Sequence, residues 1–135
     1  MAQPILFASA YLMLIFHALA VSLYSGPWAL RISYIVGPLT GMWNHGTFSQ
    51  WAKWADRIAM AIGLCVDVWY IVFLADVLVG VLLATAVAFY LCAKAAQVCM
   101  AKQPMHDLCN ASVLLHWLSH AFVTAAHVGF LQRMA

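Results

Sequence analysis

The sequence predicts an all-α fold, a polytopic transmembrane bundle of about five helices forming one domain over residues 1–135. Three observations lead there. Of the 135 residues, 67% are hydrophobic and only 7% are charged, whereas a soluble domain carries about a quarter charged residues and roughly half apolar ones. Mean hydropathy is +0.94. The apolar residues also come in runs long enough to span a bilayer, which takes about 20 residues at 1.5 Å rise for about 30 Å of hydrocarbon. Five such runs take up nearly the whole sequence, so no extramembrane domain is expected. The same composition excludes a disordered chain, a collagen and a disulfide scaffold. Six scattered Lys and Arg with a net charge of +2 give no sign of a nucleic-acid partner.

The first span, 4–24, is uncharged and ends at Ser25-Gly26-Pro27, because proline lacks the N–H and restricts the residue before it. The second, 28–44, begins with Arg31, which can snorkel, and contains Pro38, where a kink is expected. The polar, aromatic stretch at residues 45–51 reads as an interfacial turn. Residues 52–94 form one apolar block too long for a single crossing. A split near residues 74–77 divides it into spans 52–73 and 77–97, although no Pro or Gly marks the turn. A polar connection through Lys102, Gln103, Pro104, His106 and Asp107 leads to the last span, 108–131, with Asp107 a candidate cap.

Five crossings put the termini on opposite faces. Lys53, Arg57, Lys94 and Lys102 fall on the amino-terminal face and Arg31 and Arg133 on the other, which places the amino terminus in the cytoplasm. A competing reading takes the first span as a signal peptide cleaved near His17-Ala18-Leu19-Ala20, but no basic segment precedes it.

Ionisable side chains at membrane depth cost several kcal/mol unless satisfied, so each marks a candidate site. They are His17, His45, Asp56, Asp67, Asp76, His116, His120 and His127. His116 and His120 are four residues apart, on one helical face, where both rings can reach a single cation; imidazole suits zinc. Counting from residue 108, they lie about 12 and 18 Å below the amino-terminal face. His45, ending the second span, and Asp56, beginning the third, fall in that same leaflet. Either can complete the pair, provided a kink at Pro38 carries His45 deeper.

A histidine ending the second helix, an aspartate 11 residues later, and His-x-x-x-His on the last helix resemble the superfamily of alkaline ceramidases, adiponectin and progestin receptors and hemolysin III, often called CREST. That resemblance implies a membrane-embedded zinc ion held by His45, His116 and His120, with Asp56 orienting or deprotonating a water. It also implies hydrolysis of a lipid amide or ester. The likeness covers residues 41–57 and 112–127. Two features depart from the family: Gly41 stands where a serine is usual, and the chain has room for five helices rather than seven.

Two rival functions remain. His17 lies as deep as His120, so it and His116 or His120 could ligate a b-type haem in an electron-transfer subunit. Alternatively, the histidines could simply hold helices together in a noncatalytic receptor or structural subunit. For His17 alone, one interhelical hydrogen bond is the simpler expectation. His127 is expected to meet water near the far face, His106 to lie in a loop, Asp76 in the turn between the third and fourth helices, and Asp67 to bond to Ser, Thr or His on another helix. Cys65, Cys92, Cys99 and Cys109 contain no CxxC and read as small apolar fillers. No phosphate loop or nucleophile elbow is present. The expected partner is a lipid substrate, with self-association or membership of a larger membrane complex left open.

Overall fold

The structure, a computed structural model, describes residues 3–102 and 106–135, with side chains described outside residues 100–109. It consists of five helices: α1 (Pro4–Leu23), α2 (Trp28–Gly46), α3 (Gln50–Leu74), α4 (Val77–Lys102) and α5 (His106–Met134). α4 packs along α5, α5 against α1, α1 against α2, and α2 against α3, whereas α3 and α4 scarcely touch. The bundle is therefore a ring that stays open between α3 and α4.

Four helices, all but α2, are long and apolar enough to cross a membrane. α2 is the exception because Arg31, Ser33, Thr40, Asn44 and His45 all fall within it. Its environment compensates, since α1 and α3 flank it on both sides. Large apolar side chains such as Trp69, Val72 and Phe73 point outward, as expected where the solvent is lipid. Small residues occupy the interior: Ala10, Ala20, Ala52, Ala86, Ala93 and Ala126 are all buried, letting backbones approach closely. Gly26 marks the tightest approach, as a Cβ there would lie 2.9 Å from Leu131 Cδ2. An apolar core of Leu30, Tyr34, Val79, Leu83, Phe130 and Leu131 closes the end of the bundle nearest the α3–α4 turn.

The helix limits refine the expectations. α2 runs through Pro38 and on to Gly46, so His45 sits in its last helical turn rather than in an interfacial loop. The connection shrinks to residues 47–49, and Ser49 Oγ accepts the Ala52 N–H at 3.4 Å to cap α3. His106 begins α5 instead of lying in a loop. The caps expected of Asp107 and the neighbouring polar connection lie outside the described side chains.

The α3–α4 turn falls where the length of the apolar block required it. Ala75 adopts the left-handed conformation (φ 51°) and donates its N–H to the Ile71 carbonyl. Asp76 then starts α4: its Oδ1 accepts from the Val79 N–H at 3.1 Å and from Arg133 Nη1 at 2.6 Å, tying in the end of α5. Burial acts to raise the Asp76 carboxyl, but the Val79 N–H and the Arg133 guanidinium outweigh it and hold it below the usual carboxylate range. Left-handed backbone is strained for any residue with a Cβ. Ala75→Gly should therefore raise stability by up to about 1 kcal/mol, read as a higher unfolding midpoint in detergent micelles; an unchanged or lower midpoint would contradict the strain.

Candidate metal centre

His116 and His120 sit one turn apart on α5, and the last turn of α2 brings His45 against them. One ligand atom from each ring lies within 4.8 Å of the others. Ring centroids are 5.1 Å apart for His45 and His116, 5.8 Å for His45 and His120, and 4.9 Å for His116 and His120. His45 and His116 are buried and His120 is half-buried. Three imidazoles from two separated stretches thus form a buried cluster able to coordinate a metal ion.

Hydrogen bonds select the free nitrogens. Ser9 Oγ on α1 donates to the Leu6 carbonyl at 2.8 Å, which uses its only hydrogen. It must therefore accept from His120 Nδ1, also 2.8 Å away, so His120 carries its proton on Nδ1 and keeps a lone pair on Nε2. His45 Nδ1 lies 2.7 Å from Gln3 Oε1 and donates to it, likewise leaving Nε2 as a lone pair. The Gln3 backbone N–H also reaches the His45 carbonyl at 3.0 Å, so the start of α1 grips the end of α2 twice. His116 Nδ1 is buried with no hydrogen-bond partner among the described residues. Two presented lone pairs and one orphaned ring nitrogen fit a cation better than a purely structural set of hydrogen bonds, because ligand histidines are typically held through their other nitrogen.

Asp56 is buried as well. Asn44 Nδ2 donates to its Oδ2 at 2.7 Å. Its Oδ1 faces Gly41, where a Cβ would lie 3.6 Å away, so the missing side chain keeps space beside that oxygen. Asp56, His116 and His120 line a cavity of about 390 Å³ whose walls are otherwise mostly apolar. Ser9 and Gln3 were not among the residues singled out from sequence. No spacing rule connects them to the histidines; only the packing of α1 against α2 and α5 does. Asn44, next to His45 in sequence, meets Asp56 through the packing of α2 against α3.

A second polar cluster lies deeper. His127 Nε2 donates to Asp67 Oδ2 at 2.9 Å, and the Tyr34 hydroxyl donates to Asp67 Oδ1 at 3.1 Å. Tyr34 stacks on His127 with centroids 3.8 Å apart. Water near the far face was the expectation for His127; instead it is buried against the carboxylate. His17 is fully buried, donates from Nδ1 to the Tyr34 carbonyl at 2.8 Å, and lies 4.9 Å from the His127 ring. That interhelical bond is the simpler expectation for His17. Its ring neighbours are Tyr34 and His127. Cys65, Cys92 and Cys99 are exposed instead of filling the interior, as small apolar side chains can be where the surroundings are lipid; the Cys109 side chain lies outside the described residues.

The two clusters should respond separately. Ser9→Ala releases the His120 ring and should weaken binding of an added metal ion about 10- to 100-fold, measured by competition with a chromophoric chelator; unchanged affinity would remove Ser9 from the site. Asp67→Ala strands His127 and Tyr34 and should cost about 3 kcal/mol of stability, while metal-ion affinity stays at the wild-type value. The chain matches no protein-family model, is similar to no curated protein, and matches no solved structure.

Proposed function

We propose that this protein is a membrane-embedded, zinc-dependent hydrolase acting on a lipid amide or ester. The observation that carries the reading is the convergence of His45, His116 and His120 within 4.8 Å, with His116 and His120 lining the same mostly apolar cavity as the buried carboxylate of Asp56. Likeness to the ceramidase and adiponectin receptor superfamily in residues 41–57 and 112–127 supports it.

In this reading His45, His116 and His120 hold the ion, with Gln3 and Ser9 fixing two of the rings. Bound zinc would polarise a substrate carbonyl and bring the pKa of a water toward about 7. Asp56 acts as the general base. Its Oδ1, free beside Gly41, accepts a proton from the attacking water as the water oxygen joins the carbonyl carbon. The carbon–nitrogen or carbon–oxygen bond then breaks, and Asp56 returns the proton to the leaving amine or alcohol. Asn44 keeps Oδ2 occupied, so one carboxylate oxygen serves the reaction while the other anchors the side chain. The apolar walls suit a hydrocarbon tail and exclude bulk water.

Purified protein should contain about one zinc per chain, and alanine at His45, His116 or His120 should lower that content. Asp56→Asn should retain zinc while losing about 10²–10⁴-fold in lipid amide or ester hydrolysis. Full zinc occupancy with no turnover of any lipid would instead favour a receptor. A Soret band in place of zinc would favour electron transfer.

A further inference from the structure

The open side of the helix ring coincides with the cavity. α3 and α4 are pinned together at their turn, where a Cβ on Gly80 would lie 3.4 Å from Ile71 Cγ2, but they scarcely touch elsewhere. The metal-site end of the bundle lies away from that turn. The cavity takes Met60, Gly63 and Leu64 from α3 and Val87, Tyr90 and Leu91 from α4. Met60, Leu64 and Leu91 are also exposed. Where α3 and α4 part, the cavity that both line opens as a slot between them, and a membrane-spanning bundle is surrounded at that depth by lipid.

The slot is basic at its headgroup end. Arg57 lines the cavity on the α3 side, its guanidinium 5.5 Å from the Trp54 ring. Lys94 stands on the α4 side, with Nζ 5.3 Å from the ring of the cavity residue Tyr90 and bonded to Gln97 Oε1 at 3.1 Å. Lys53 lies one turn earlier on α3. The charges of Arg57, Asp56 and Lys53 all act on Lys94, so the groups share one locale. Among the described residues none of these three cations forms an ion pair; Arg133 and Asp76 pair at the other end of the bundle. Among the described residues the carboxylate in the locale is Asp56, which is held by Asn44.

We propose that the slot between α3 and α4 takes up an anionic, phosphate-bearing lipid from the surrounding leaflet. One acyl chain enters the cavity, and the phosphate lies between Arg57 and Lys94. A neutral lipid amide would fill the same apolar walls and leave both cations without an anionic partner. A phosphate gains charge-assisted hydrogen bonds from each side of the slot, and each basic residue near an anionic headgroup contributes about 1 kcal/mol. The positive-inside bias explains basic residues on this face in general; it does not place one on α3 lining the cavity and another on α4 against the ring of a cavity residue. The proposal deepens the hydrolase reading by naming its substrate class, and it rests on that reading only for the cleavage of a lipid already bound.

Native mass spectrometry of the full chain in neutral detergent tests it, with phosphatidylglycerol, phosphatidylcholine, ceramide and inorganic phosphate offered in turn. The expected result is one phosphatidylglycerol retained per chain, at least about tenfold preferred over phosphatidylcholine and ceramide by the two basic contacts, and not displaced by inorganic phosphate. The double variant Arg57→Gln with Lys94→Gln should lose that preference, whereas Arg31→Gln on the other face should keep it. Gly63→Leu, at a position where an added Cβ meets nothing within 4 Å, should fill the slot and release the lipid while helical content and zinc content stay unchanged. A preference that survives the double variant, retention unaffected by Gly63→Leu, or displacement by inorganic phosphate alone would each overturn the proposal. Zinc-stripped protein should still retain the lipid. Retention without cleavage by zinc-loaded protein would therefore sink the hydrolase reading alone, and cleavage of ceramide without anionic preference would sink only this one.

Discussion

A histidine or aspartate set in hydrocarbon costs several kcal/mol unless another protein group or a cation satisfies it, and the interior of this bundle is organised around that cost. α1 to α5 have little reason to associate through hydrophobicity alone, since lipid tails are as apolar as their leucines. Polar contacts supply the specificity instead. Gln3 and Ser9 bring α1 to His45 on α2 and His120 on α5, Asp56 brings α3 to Asn44 on α2, and Asp67 joins α3 to Tyr34 on α2 and His127 on α5. Small residues such as Ala10, Ala52 and Ala126 then let the backbones close on those contacts.

The two buried polar clusters differ in where their unspent nitrogens lie. Around Asp67, both carboxylate oxygens have donors, and the rings of Tyr34 and His127 stack face to face. His17 Nε2 and His127 Nδ1 are left without partners there, but among the described residues only His45, His116 and His120 bring three ligand atoms within reach of one another. The Asp67 arrangement holds helices. Around His45 and His120 the hydrogen bonds go to Nδ1 and leave lone pairs on Nε2, and His116 keeps a buried nitrogen without a partner. With those nitrogens unspent and one ligand atom of each ring within 4.8 Å of the others, the cluster is able to coordinate a metal ion. This contrast distinguishes it from the Asp67 cluster more clearly than the spacing of His116 and His120 does.

How much of this was legible from sequence depended on whether a feature leaves a local periodic trace. The helices do: apolar runs, the Ser25-Gly26-Pro27 stop, and a block too long to cross once located all five, including the turn at Ala75, which carries neither Pro nor Gly. The pair His116 and His120 shows in its four-residue spacing, and His45 and Asp56 show through the alternating direction of consecutive spans. Contacts between distant segments leave no such trace. Ser9 lies 111 positions from His120 and Asp67 lies 60 from His127, so the hydroxyl that holds His120 and the buried hydrogen bond between Asp67 and His127 arise only from the packing of the helices. His127 was misplaced for the same reason: depth along α5 suggested water, but the partner that decided its burial was on α3.

α2 ties the site to the fold. It carries His45, Asn44, Gly41 and Tyr34, the residues on which both clusters depend, and it is the one helix not apolar enough to count as a span by composition. The features that make α2 useful are those that make it unfavourable in lipid. Its stability must therefore come from α1 and α3, which flank it and satisfy its polar groups through Gln3, Asp56 and Asp67. The helix that carries these groups thus sits in the closed part of the ring, between α1 and α3, and the opening falls one helix further on, between α3 and α4. A bundle with the metal-site helix at an unclosed edge would expose its own buried polar groups to hydrocarbon. Placing the gap between two strongly apolar helices lets lipid form the missing wall at little cost.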